Sequence, residues 1–316
     1  MVYELFKKSM IEENKSIFDK INKTNLHAHA LLSANKELFY KEFNRKLEER
    51  NLFADMADFR QYTIDNLGDL ISERDTQLKL YELSILTAVK DGIKVFDISV
   101  DFRSVYKIFN DSITNYVNAL NKLKNKYKDK MVINFDLGIS RKSYQAKDYY
   151  LIKKLIKTGV FNGIDLLGDE LSQNIRCFKK VYRYAKKNNL ILKAHVGEFG
   201  GAKSIKKAIK VLKLDVVQHG ITVVDDKNIM HYAKKNKIVF NVCISSNLRF
   251  NNAINIKNHP IREMFDYGLI VTLNTDDELI FGSSLFNEYL LLYKNNVFNI
   301  EELYEIIKSG LNAVKD

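Results

Sequence analysis

A chain of 316 residues with 46% apolar content suits one large barrel-type domain or two smaller ones, with ample material for a core. It holds no apolar run near the roughly twenty residues that a membrane-spanning helix needs. Its net charge of +11 raises nucleic acid as a partner, but Lys153/Lys154/Lys157, Lys186/Lys187, Lys206/Lys207/Lys210 and Lys234/Lys235 fall in separate predicted helices at water-facing positions. Nor is there the basic–aromatic interleaving that binds single strands.

In chain order, residues 1–22 read as a short helical lead. Leu5, Ile11, Ile17, Phe18 and Ile21 recur there among Glu4, Lys7, Lys8, Glu12, Glu13 and Lys15, a mixture with no signal-peptide core. The first strand is expected to end at His29. Side chains alternate faces along a strand, so His27 and His29 point the same way and together can chelate an ion of Zn²⁺ type. A surface accident or a hydrogen-bonded core pair gives the same pattern. Residues 36–90 read as helical, with polar breaks around Asp65 to Asp69: an insertion after the first strand and a candidate lid. Ile93 to Val100 is a strand by its β-branched content, and helix follows over roughly 104–128.

The alternation then becomes regular. Strands are predicted at Met131–Ile139, Val160–Leu167, Leu190–Val196, Asp215–His219, Ile238–Cys243 and Leu269–Thr275. Helices are predicted at 145–158, 171–188, 203–213, 225–236 and Ile261–Tyr267. A turn region holds the only proline, Pro260, and charge-patterned helices run to Asp316. About eight strands, each followed by a helix, predict an α/β fold, a (β/α)₈ TIM barrel forming a single domain over 1–316. A doubly wound open sheet competes, but no Gly-rich phosphate turn follows the first strand and there is no P-loop. Cys177 and Cys243 lie far apart outside any C-x-x-C, so no disulfide framework is expected, and the cytoplasm is the default compartment.

In a barrel, functional residues gather at the carboxyl ends of strands. His27 and His29 fall there, Gly168 and Asp169 follow the fourth strand, His195 ends the fifth with Glu198 three residues on, His219 ends the sixth and Asp276-Asp277 the eighth. Four of the six histidines thus share one predicted rim, while His231 and His259 read as surface or capping residues. Singly, each has a plain alternative: a satisfied core histidine at His195, a solvated carboxylate at Glu198, a helix N-cap at Asp276-Asp277, a turn at His219-Gly220.

The motifs N-L-H-A-H-A (25–30), G-I-D-L-L-G-D-E (163–170), K-A-H-V-G-E (193–198), Q-H-G-I (218–221), N-V-C-I-S-S-N (241–247), H-P-I (259–261) and V-T-L-N-T-D-D (271–277) resemble, in order and spacing, the adenosine deaminase family of the metal-dependent amidohydrolase superfamily. The resemblance implies one zinc ion per chain, held by His27, His29, His195 and Asp276. It implies that Glu198 donates a proton, that His219 positions the attacking water, and that Asp277, the Gly168 N–H and His29 face a small-molecule purine. Catalysis would then rest on Glu198, His219 and Asp276. The expected activity is hydrolytic deamination of adenosine or deoxyadenosine to inosine or deoxyinosine plus ammonia, with neither nucleic acid nor membrane as partner. His/Cys/Cys zinc ligands, as in base-editing deaminases, are not formed by Cys177 and Cys243.

The chain departs from the family pattern after the H-x-H pair. Leu31 stands where the family carries an aspartate that bonds the sugar's 5′-hydroxyl, Leu32 replaces a glycine, and Glu278 replaces a proline. A leucine accepts no hydrogen bond, which leaves Ser33, Asn35 or a residue of the 50–75 region to supply a substitute contact. A deaminase of adenine or a modified adenine nucleoside, and a catalytically inactive purine-binding protein, are the alternatives.

Overall fold

The computed structural model describes residues 2–250 and 255–314. Eight strands stand side by side in chain order: β1 (Lys23–Asn25), β2 (Ile93–Asp101), β3 (Val132–Ser140), β4 (Phe161–Leu167), β5 (Ile191–His195), β6 (Val216–Gln218), β7 (Val239–Val242) and β8 (Ile270–Leu273). Every adjacent pair is parallel, so each connection must cross over, and helices fill the crossovers. Runs such as Phe96–Ile98–Val100 and Phe135–Leu137–Ile139 are buried, as in strands covered on both faces. The β8–β1 seam is closed by one parallel bridge, Ala28 to Asp276. The Asp276 N–H donating to the His27 carbonyl (3.1 Å) and the Leu26 N–H donating to Asn274 Oδ1 (2.7 Å) complete it. The architecture is the expected α/β TIM barrel, nearly closed.

That seam explains the shape of the first strand. Its regular ladder stops at Asn25, not His29, because Leu26 and His27 turn backbone groups toward the β8 side. Pairing with β2 resumes at a His29–Ser99 bridge, with the Ser99 N–H donating to the Ala28 carbonyl (2.8 Å) and the Ala30 N–H to the Ser99 carbonyl (3.0 Å).

Helices Lys36–Phe43, Met56–Ser72 and Arg74–Lys90 make up the 36–90 insertion. The expected break at Asp65–Asp69 is absent; one helix runs through it. Leu67 and Leu70 on that turn are buried, while Asp65 and Asp69 face water and Asp69 pairs with Arg45. The true interruptions are Asn44, whose left-handed backbone ends the first helix, and Glu73; Asp55 starts the second helix by accepting the N–H groups of Ala57 and Asp58. A helix at Ile244–Arg249 occupies part of what reads in sequence as a turn, and residues 251–254 lie outside the described set. The last helix, Ile300–Ala313, opens with an Asn299–Glu302 capping box; Asp316 lies outside the described residues.

The main core joins the barrel to its outer helices. A smaller apolar cluster sits over the carboxyl rim, where Phe39, Phe53, Phe59 and Tyr62 of the insertion pack on Phe250, Leu279 and Phe281. Among the described residues no helix is long and apolar enough to cross a membrane.

Candidate active site

The strand ends bring the four rim histidines together. Ring centroids lie 4.7 Å apart for His27–His195, 5.1 Å for His27–His29 and His27–His219, and 5.3 Å for His195–His219. Asp276 Oδ1 is 3.5 Å from His27 Nε2 and 3.3 Å from His29 Nε2, and its Oδ2 is 3.7 Å from His219 Nε2. Glu198 Oε2 stands 3.8 Å from the same His219 nitrogen. His219 and Asp276 hold left-handed backbone (φ 61° and 56°), a conformation uncommon outside glycine and concentrated at functional sites. Gly168 (φ 83°) and Gly197 (φ 78°) shape the flanking loops; a Cβ at Gly197 would fall 2.4 Å from the Ile205 side chain. His231 is exposed, as expected. His259 is a capping residue whose Nδ1 accepts the Ile261 N–H (3.2 Å), but it is buried rather than on the surface. Asp277 stands at the N-cap position of the helix Glu278–Phe281, as the plain alternative has it, but its side chain makes no capping bond there.

The donor set fits a divalent metal ion. Potential ligand atoms of His27, His195 and His219 lie within 4.8 Å of one another, as do those of His29, Asp276 and Asp277, and those of His27, Cys243 and Asp276. The four expected ligands therefore span overlapping groups, with His219 as close to His27 and His195 as a ligand would be. Among the described residues, both ring nitrogens of buried His27 lack a hydrogen bond, and so does Asp277 Oδ1. Each unpaired buried polar group costs about 1–3 kcal/mol, a cost that a bound cation removes at the one His27 nitrogen it takes. Imidazole nitrogens with carboxylate oxygen suit zinc and similar ions.

Burial dominates the electrostatics. It pushes the Glu198 carboxyl well above its ordinary range, with Asp276 and Glu170 adding repulsion, which favours the protonated form. Burial holds His219 well below its ordinary value and takes His27 down to about 4, leaving both imidazoles neutral. Burial also works against charge on His29, but Asp277 and Asp276 outweigh it and bring that histidine up to about 10. The Asp276 carboxyl is held well below its ordinary value because the ring nitrogens of His27 and His29, 3.5 and 3.3 Å away, outweigh its burial, whereas burial raises Asp277 well above its ordinary value.

Several supporting residues were missed in the sequence. Asp165 on β4 meets His195 Nδ1 (3.3 Å) and accepts from Ser99 Oγ (2.8 Å), leaving His195 Nε2 to face the cluster. Glu170 accepts the N–H groups of Gly197 (2.7 Å), Phe199 (3.1 Å) and Gly200, and so fixes the loop that carries Glu198. Asn247 Nδ2 lies 3.2 Å from His219 Nδ1. A carboxylate in the middle of an apolar strand was the readable signal for Asp165; nothing local marks Asn247.

A cavity of about 200 Å³ opens over the cluster. Its inner wall carries His29, His195, Glu198, His219, Asp276 and Asp277; its outer wall carries Leu31, Leu32, Met56, Phe59, Phe250 and Phe281. Ser33 and Asn35 are not free to replace the missing sugar contact. Ser33 Oγ is committed to the His29 backbone and the Asp276 carbonyl (2.8 Å), and Asn35 caps its helix and reaches Glu278.

Residues 140–315 match the family model for adenosine deaminase. A Treponema pallidum relative, named for both adenosine and adenine deamination, is 32% identical over 74% of this chain and 73% of its own length. The chain belongs to the adenosine deaminase family. It is accordingly a hydrolase acting on C–N bonds. Two solved structures share the fold. The Arthrobacter aurescens adenine deaminase has 20% identity and a TM-score of 0.79, covering 93% of this chain and 94% of that one. The Arabidopsis thaliana N6-methyl-AMP deaminase has 19% identity and a TM-score of 0.76, covering 95% and 94%.

Proposed function

We propose that this protein is a zinc-dependent purine aminohydrolase that converts adenosine and deoxyadenosine to inosine and deoxyinosine with release of ammonia, and that it works in the cytoplasm. The observation that carries the reading is a buried Glu198 whose Oε2 lies 3.8 Å from His219 Nε2, in a cavity whose inner wall brings His29, His195, His219 and Asp276 together.

His27, His29, His195 and Asp276 would hold the ion, which when bound supplies a Lewis acid that makes water nucleophilic near neutral pH. His219, neutral and aimed at the same spot, orients that water and takes up its proton as carbon six of the purine is attacked. Glu198 gives its proton to the adjacent ring nitrogen, so negative charge does not accumulate on the ring. The amino group then takes a proton and leaves as ammonia, and the ring keeps the water's oxygen. Asp277, whose carboxyl burial raises well above its ordinary value, hydrogen-bonds the imidazole ring of the base, and the Gly168 N–H faces its pyrimidine ring. Phe59, Phe250 and Phe281 exclude water at the mouth.

A second reading, deamination of adenine or a modified adenine nucleoside, is favoured by Leu31 and by the name of the Treponema relative, which includes adenine beside adenosine. Purified protein loaded with zinc should release ammonia and lose the adenine absorbance band with adenosine and deoxyadenosine. Comparison with adenine by kcat/KM separates the two readings. No turnover of any of the three with bound zinc confirmed would sink both.

A further inference from the structure

A second cavity, of about 240 Å³, adjoins the first; Leu32, Met56, Phe59 and Gly168 line both. Its far wall is of a different character. Arg60 and Lys142 project there, with Arg103 and the hydroxyls of Ser140 and Ser143, against Asp169 as the carboxylate of the lining. Among the described residues neither Arg60 nor Lys142 has an ion-pair partner. Arg103 is held in place by Asp101 (2.7 Å) and Ser143, so its guanidinium does not have to be ordered when a ligand arrives. Lys107 feels the same charges. Its ammonium is held below its ordinary value by burial first and then by Arg103 and Arg60, with Asp101 acting against them.

We propose that this annex takes a 5′-phosphate, so that the substrate class extends from adenine nucleosides to adenine nucleoside 5′-monophosphates. The inference rests on the deaminase reading above and deepens it. Gly168 lies on the wall shared by the two cavities, so a sugar on a base held there projects past Leu31 and Leu32 toward Arg60 and Lys142. Leu31 matters for what it lacks: a carboxylate at this position would repel a phosphate, whereas leucine is neutral to it. Guanidinium groups recognise phosphate oxygens through paired N–H donors, lysine adds a point charge, and the two serines offer O–H donors. The phosphate is a binding handle only; the bonds made and broken remain those of the deamination.

The test is the ratio of kcat/KM for adenosine 5′-monophosphate to that for adenosine, in zinc-loaded wild type and in an Arg60→Gln/Lys142→Gln double variant. The expected ratio is about ten or more in wild type, falling about tenfold or more in the variant, since each lost charge-assisted contact is worth roughly a factor of ten. KM for the monophosphate should also rise with salt, because solvent-exposed charges are screened. A ratio below one in wild type, or one that the double substitution leaves unchanged, overturns the proposal. Should neither compound be turned over, the deaminase reading fails. Calorimetric binding of the monophosphate against adenosine then judges the annex alone: tighter binding that is lost in the double variant supports it, and equal binding overturns it.

Discussion

Two sets of buried charged groups share this barrel and behave in opposite ways. Inside the barrel, Lys193 on β5 sits between Asp97 of β2 (2.5 Å) and Asp136 of β3 (2.6 Å), and Asn134 donates to the other Asp97 oxygen (2.8 Å). Each charge there meets another charge of the chain. The two carboxylates raise the lysine's pKa against its burial, and Asp136, one of two anions facing one cation, is pushed up to about 7 by burial. At the rim the donors converge and stop short: both His27 nitrogens and Asp277 Oδ1 are left unpaired, on backbone strained at His219 and Asp276. Polar groups that complete one another hold a fold together. Polar groups left incomplete in a strained frame are kept for something that arrives from outside.

The sharpest way to break this contrast is at Glu198. Glu198→Gln keeps the shape and removes the donatable proton. Deamination should fall by about 10²–10⁴ while metal content stays the same, measured by ammonia release alongside metal analysis. Lys193→Met asks the opposite question. It leaves two buried carboxylates without their cation and should cost about 3–5 kcal/mol in denaturant unfolding, with kcat per folded molecule nearly unchanged. Equal damage to rate and stability from either substitution would erase the distinction.

Glu170→Gln sharpens the boundary between the two sets, because Glu170 makes no contact with the metal cluster yet gathers the loop under Glu198. A fall in kcat of about tenfold with KM little moved is expected, from roughly one lost charge-assisted hydrogen bond. The effect that is smallest at neutral pH concerns His259, which burial holds at about 3 against an ordinary 6.5. Between those values the unfolded chain binds a proton that the folded chain refuses. Its contribution to stability is therefore complete above about pH 6.5 and is lost as pH falls toward 3. In His259→Asn, which can still accept the Ile261 N–H, the acid limb of the stability curve should be shallower by up to about 1.4 kcal/mol per pH unit.

The strands were legible because β-branched runs such as Ile93–Val100 announce themselves. The rim residues were legible because a barrel sends side chains from successive strand ends to one place. The turn at Asp65–Asp69 was misread because polar residues on the wet face of an amphipathic helix look like a break until the buried Leu67 and Leu70 are seen. Lys193, Asp97 and Asp136 each carried a signal, a charge inside an apolar strand, but its meaning depends on register: Asp97 stands opposite Asn134, and Lys193 opposite Asp165. Ser33 and Asn35 were plausible sugar contacts by proximity in sequence, and only the structure shows their hydrogen bonds already spent. The meeting of Arg60 with Lys142 belongs to tertiary structure alone.

Metal titration of chelator-stripped protein, read simultaneously as bound ion per chain and as ammonia released from adenosine, tests the central claim most directly. The account predicts no turnover without metal and activity that rises with added zinc and levels off near one ion per chain. Full turnover by the stripped protein, or zinc bound without any ordered stoichiometry, would contradict it.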